Sequence, residues 1–119
     1  MTVPTERETQ RSILAALRVH GLRVVHVPNG AHLSGDGRQR AMQWGALLGD
    51  GAIRGFPDLL VMARNPPRVG FMEVKREGGK VEPHQAACHD AIKADGFPLA
   101  VVRSVDDALD SAREWGFIK

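Results

Sequence analysis

The chain carries one cysteine, Cys88, in 119 residues. A single thiol excludes an internal disulfide framework and fits a reducing interior. Long apolar runs are missing as well: no stretch approaches the roughly 20 residues that a membrane-spanning helix needs. The opening MTVPTERETQ also has no apolar signal-peptide core. These absences lead us to expect a soluble cytoplasmic protein. There is no internal repeat and no low-complexity segment. The Gly-rich GDGAIRG lacks the Gly-Lys-Ser/Thr ending of a P-loop. His84, Cys88 and His89 have no partner pair elsewhere at finger-like spacing, so they read as a small core thiol beside surface imidazoles.

What is present is ordinary in total and informative by position. Hydrophobic residues at 43% and charged residues at 25% are those of a globular chain, and the length suits one domain over residues 1–119. The formal net charge is +2, but residues 1–80 hold 12 Lys/Arg against 7 Asp/Glu, a balance of +5, while residues 81–119 hold 4 against 7, a balance of −3. Twelve of the 16 basic residues are arginines, which suits bidentate phosphate contacts better than mere solubility.

Periodicity and breakers give the elements. TERETQRSILAALRVHG has apolar residues at Ile13, Leu14, Leu17 and Val19 between an N-cap, Thr5, with Glu8 three residues on, and a stop at Gly21. LRVVHVP (residues 22–28) reads as a strand ended by the turn pair Asn29–Gly30. Residues 30–40 read as an exposed loop, followed by a short helix over RQRAMQWGALLG. DLLVMA (residues 58–63) and VGFMEVKR form a hairpin, because the prolines of RNPPR cannot stay in a sheet and turn the chain over Asn65 to Arg68. EPHQAACHDAIKADG is a helix with Pro83 in its first turn, PLAVVR a buried strand, and SVDDALDSAREWG a helix capped by Ser104 with Asp107 at the capping-box position. The order αβαββαβα, with a central hairpin and a later strand–helix crossover, predicts an α/β fold: a mixed central sheet flanked by helices.

Within this pattern three charges stand out, because Asp58, Glu73 and Lys75 sit at or inside apolar strands. Residues two apart share a face of a strand, so Glu73 and Lys75 point one way while Met72 and Val74 point the other. Asp58 opens the paired strand and Glu73 lies near the end of its neighbour, so the three converge at one edge of the sheet. Two carboxylates with room between them suit a divalent cation such as Mg²⁺. A lysine beside it can orient a water and stabilise charge building on a phosphate. The set points to phosphodiester hydrolysis. Taken singly, Asp58 also reads as a strand cap, and Glu73 with Lys75 as an exposed ion pair.

Pro57–Asp58 and Glu73-x-Lys75 occur in the order and spacing of the PD-(D/E)XK nucleases, and the chain resembles the small stand-alone VRR-NUC group found in phages and bacteria. ERETQ, VVHVPNG, GAIRGFPDLLV, MEVKR, VEPHQ and VVRSVDDAL carry the resemblance over roughly residues 6 to 110. It implies a restriction-endonuclease-like core, Mg²⁺ or Mn²⁺ as cofactor, and cleavage of structured DNA by a homodimer resembling Holliday-junction resolvases. Asp58 and Glu73 then match the metal ligands, the backbone carbonyl of Val74 a further ligand, Lys75 the catalytic lysine and Gln85 a supporting glutamine. Glu6 matches a first-helix acid that reaches the metal, with Glu8 as an alternative.

Arg38, Arg40, Arg54, Arg76 and Lys80 lie on loops or strand ends around this site and are the expected DNA phosphate contacts. His26 and Asn29 stand near the same cleft. Met42, Trp44, Leu47 and Leu48 read equally well as a dimer stripe or as core. A DNA-junction binder without cleavage and a restriction-type duplex nuclease remain alternative readings.

Overall fold

The structure, a computed structural model, describes residues 2–28, 33 and 35–119. Eight elements follow in the expected order: α1 (Glu6–Val19), β1 (Arg23–His26), α2 (Gly37–Gly49), β2 (Leu59–Ala63), β3 (Arg68–Val74), α3 (Pro83–Ala94), β4 (Leu99–Val102) and α4 (Val105–Glu114). The four strands lie side by side in the order β1-β2-β3-β4, antiparallel in the first two pairings and parallel in the third. The fold is thus α/β with a mixed sheet, as expected.

Local chemistry sets the boundaries. Thr5 Oγ1 accepts a hydrogen bond from the Glu8 N–H (3.1 Å) and Glu8 Oε1 accepts one from the Thr5 N–H (3.0 Å), which closes a capping box at the start of α1. A second box, Asp36 with Gln39, starts α2 at Gly37. It therefore shortens the loop expected over residues 30–40, because Asp36 satisfies the first-turn amides that the glycines around it cannot. The turn expected at Asn29–Gly30 lies outside the described residues. At α4, Ser104 Oγ accepts from the Asp107 N–H (3.1 Å), but Asp107 accepts from the Arg103 N–H (2.9 Å) rather than from Ser104. The reciprocal half of the expected box moves one residue outward, where the shorter aspartate side chain finds its donor. Arg68, expected in the turn, already pairs with Ala63 and opens β3.

Two faces of the sheet differ in cover. On one, Val24, Leu59, Val61, Ala63, Met72, Val74 and Val102 pack on Ile13 and Leu17 of α1 and on Ala108 and Ala112 of α4. On the other, Phe71 meets Phe56 and Phe97 edge to face, with ring centroids 5.5 and 5.8 Å apart, and α3 packs against β4. Helices flank both faces, but the β1–β2 half of the second face stays open, leaving Val25 44% and Met62 36% exposed. None of α2 is buried, so Met42, Trp44, Leu47 and Leu48 are not core residues. Among the described residues no helix is long and apolar enough to cross a membrane.

The loop entering β2 rests on α3. Gly55 has φ +78°, and a Cβ there would stand 2.5 Å from the His84 carbonyl oxygen and 2.7 Å from Gln85 Cα. Only glycine combines that backbone conformation with that approach. A Gly55→Ala protein is expected to lose about 1–3 kcal/mol of stability, read as a lowered midpoint of urea unfolding.

Candidate active site

The hairpin register brings the charged residues together. Leu59 stands opposite Met72, so the next rung places Asp58 opposite Glu73. The ladder ends there, and the Val74 N–H, with no strand partner on that side, donates instead to Asp58 Oδ2 at 2.8 Å. The N–H and C=O of one strand residue project to the same side, so the Val74 carbonyl also faces the gap beside Asp58. On the far side of β3, the Lys75 N–H donates to Val102 of β4 (3.0 Å). The backbone is thereby fixed on both flanks of the site.

Burial is the unusual feature. Glu73 is 1% exposed and Lys75 8%, so the alternative reading of an exposed ion pair does not hold, and both side chains are buried. His89 of α3, 4% exposed, turns its Nε2 to Glu73 Oε1 at 3.5 Å, and neither atom has a hydrogen-bond partner among the described residues. His89 was read from sequence as a surface imidazole. The correction comes from helix phase: Asp90 is exposed beside it while His89 faces the sheet, a distinction the mixed composition of α3 hides. Burial pushes the His89 imidazole below its usual range, helped by the charge of Lys93. Its signal was available in one form: His89 lies one helical turn after Gln85.

The Glu73 carboxyl is pushed up to about 10, chiefly by burial, then by the hydrogen bond it shares with Asp58 and by the Asp58 charge. The positive charge of Lys75 opposes this without cancelling it. Glu6 is raised as well, by partial burial, and it feels the charges of Lys75, Asp58 and Arg76. Glu8 is lowered by the amide it caps and is committed to Thr5. Of the two first-helix acids, Glu6 is the one coupled to the charges of Lys75 and Asp58.

Gln85 is half-buried and its side-chain oxygen accepts from the Glu82 N–H (2.9 Å), so it fastens the first turn of the helix that carries His89. Arg38 and Arg40 are exposed in the first turn of α2, and the guanidinium of Arg54 lies 4.9 Å above the ring centre of Trp44. Arg76 and Lys80 are exposed on the turn after β3, which Arg103 holds by donating to the carbonyls of Arg76 (3.0 Å) and Gly79 (2.6 Å). His26 is exposed in β1, and Asn29 lies outside the described residues. Among the described residues no three His, Cys, Asp or Glu side chains form a ready-made metal cage.

A sequence-family model described as the VRR-NUC domain matches residues 36–106. Among solved structures, one titled "VRR_NUC domain" is 23% identical with a TM-score of 0.62, covering 92% of this chain and 95% of its own. Another, titled "VRR_NUC domain protein", is 15% identical with a TM-score of 0.69, covering 97% of this chain and 90% of its own. At these identities the likeness is one of fold. No curated protein matches the chain.

The raised Glu73 carboxyl makes a stability prediction for the metal-free protein. The folded chain keeps the proton that the unfolded chain loses near the ordinary carboxylate value of 4.5, so stability is full below that pH and declines as pH rises towards 10. Glu73→Gln, which needs no proton, is expected to flatten this decline and to raise the thermal midpoint at pH 8 by several degrees relative to wild type. The two proteins should converge at pH 4. Calorimetry in EDTA across that range is the check.

Proposed function

Because this chain belongs to the VRR-NUC domain family, a nuclease-type domain, we propose that it is a divalent-metal-dependent endonuclease hydrolysing phosphodiester bonds in branched DNA, in the manner of a Holliday-junction resolvase. The observation that carries this reading is the half-buried Asp58 opposite the buried Glu73 and Lys75, with Glu73 Oε1 left without a hydrogen-bond partner among the described residues. That donor set fits Mg²⁺ or Mn²⁺: the atoms are hard oxygens, one of them has no hydrogen-bond partner among the described residues, and a bound cation would offset the burial, and after it the Asp58 charge, that hold the Glu73 proton. Mg²⁺ is content with one or two carboxylates and keeps several waters, so the lack of a three-residue cage among the described residues is no obstacle.

Asp58, Glu73 and the Val74 carbonyl would hold the ion, with Glu6 reaching it from α1. When bound, the ion supplies polarisation of the phosphate and a lowered pKa for an attacking water. The chain's own contributions are positional. Asp58 is locked by the Val74 N–H, and His89 Nε2 stands 3.5 Å from Glu73 Oε1. Lys75, stripped of most of its solvent, presents a cation to the charge that builds on the phosphate in the transition state. Gln85 acts at one remove, by fixing the helix start from which His89 is hung. Arg38, Arg40, Arg54, Arg76 and Lys80 meet DNA phosphates and set the strand without reading bases.

Incubating the protein with labelled four-way junction, flap and linear duplex in Mg²⁺ tests the reading. Lys75→Ala is expected to slow cleavage by about 10²-fold or more while keeping wild-type DNA affinity in Ca²⁺. Full cleavage by that variant would sink the assignment. Equal rates on linear duplex would point to a restriction-type nuclease, and binding without cleavage in any divalent ion to a junction-binding protein.

A homodimer suits this substrate, because a four-way junction offers two equivalent strands and a twofold pair offers two matching sites. The surface we assign to it is on α2, where Met42 is 67% exposed and Leu48 is exposed beside the half-buried Trp44 and Leu47. Light scattering on a Met42→Glu/Leu48→Glu protein is expected to give half the molar mass of the wild type. A mass unchanged by the double substitution removes α2 from the interface.

A further inference from the structure

At the opposite end of the sheet from the carboxylates, three arginines gather around one concavity. Arg18 from the last turn of α1, Arg23 from the start of β1 and Arg64 just past β2 line a hollow of about 470 Å³ together with Gly21, Leu22, Val24 and Val25. Among the described residues none of the three has a carboxylate within 4.0 Å. Three like charges collected without a counter-charge repel one another, which an anion in the hollow would reverse. Arg18 is also pinned: its Nη2 donates to the Val24 carbonyl at 2.9 Å. Because the Val27 N–H donates to the Asp58 carbonyl (2.7 Å), antiparallel alternation turns Val24 outward from β2, so this contact lies on the free edge of the sheet. One of the three guanidiniums is held in place before any ligand arrives.

The strand pleat relates this cluster to the active site. Leu59, Val61 and Ala63 of β2 face the α1–α4 core, so Asp58, Leu60, Met62 and Arg64 alternate onto the other face. On β1, Val24 faces the core, which puts Arg23 and Val25 on the same side as Arg64. That side is the half of the sheet that α3 leaves bare, with Val25 and Met62 exposed between the two ends. Arg64 lies six positions after Asp58, and at roughly 3.4 Å per residue the span is about 20 Å. Along one DNA strand that distance covers about six nucleotides.

We propose that Arg18, Arg23 and Arg64 form a second phosphate-binding site, which grips the DNA backbone about six nucleotides from the bond being cut and aligns the duplex across the open face of β1 and β2. It rests on the nuclease reading above and extends it: the site contributes to affinity and orientation, and it takes a phosphodiester backbone of any sequence. The guanidinium fork is the right recognition group, since it meets two phosphate oxygens at once.

The test is fluorescence anisotropy in Ca²⁺ with two probes, a mini-hairpin of about 3 base pairs, roughly 10 Å long, and a hairpin duplex of about 20. Arg23→Ala/Arg64→Ala removes two cations and leaves the Arg18–Val24 contact intact. With the long probe, the variant is expected to bind at least tenfold more weakly at low salt, and its slope of log affinity against log salt should fall by about 2. With the short probe, which cannot reach both ends of the sheet, the loss should vanish. Arg23→Lys/Arg64→Lys, which restores charge but not the fork, should recover the salt slope and only part of the affinity. Equal long-probe affinities for wild type and the alanine variant overturn this inference while leaving the nuclease reading in place. A wild type that binds neither probe overturns the nuclease reading itself.

Discussion

A carboxylate buried where the sheet ladder runs out is the constraint on which the rest depends. Glu73 lies on the central strand, under α3, with Asp58 across the hairpin and His89 above it. Putting an acid in such a place is costly unless it is paired or coordinated, and in the metal-free protein the cost shows as a proton held far above the normal range. Everything that fixes its neighbours serves to keep the arrangement from relaxing. The hairpin register fixes Asp58, the β3–β4 parallel pairing fixes the backbone of Lys75, and the first turn of α3 fixes His89. A looser scaffold would let Glu73 swing into solvent and regain its ordinary behaviour.

How much of this could be read from the residues depends on the range of the interaction. The hairpin, its facing and the convergence of Asp58 with Glu73 were legible, because strand alternation and the two prolines at 66 and 67 are local signals that fix register. The capping boxes at Thr5 and Asp36 differ in the same respect. Thr5 precedes a strongly amphipathic helix and announces itself, whereas Asp36 sits among glycines and precedes a helix with no buried face. His89 was missed because its role belongs to the packing of α3 on the sheet. The difference between a surface and a buried histidine on a helix of mixed composition is a rotation about the helix axis, which sequence pattern leaves open.

The pair Glu6 and Glu8 shows how a local motif bears on a tertiary question. Both lie in the first turn of α1 and both are favoured there by the helix dipole. The box geometry claims the residue three positions after Thr5, so Glu8 is spent on the amide of its own cap. Glu6, one helical position off that contact, is left to face Lys75, Asp58 and Arg76. The capping residue thus selects which acid is available to the site, a consequence that follows from spacing once Thr5 is accepted as the cap.

The same economy explains why Asp58 stands where it does. Pro57 has no N–H to offer a neighbouring strand and tolerates the first position before a ladder, so β2 begins after it. β3 continues past that start, and the amide of Val74 would otherwise be a buried donor with no partner, which costs about 1–3 kcal/mol. Asp58 supplies the acceptor from its side chain, and in doing so it is drawn against β3, on the rung opposite Glu73. A ladder of unequal strand lengths therefore creates the need for a carboxylate at this point, and that need fixes the carboxylate's position. Structural satisfaction and the geometry of the candidate site are one arrangement here, so a change that repairs one without the other, such as asparagine at position 58, would keep the hydrogen bond to Val74 and lose the charge.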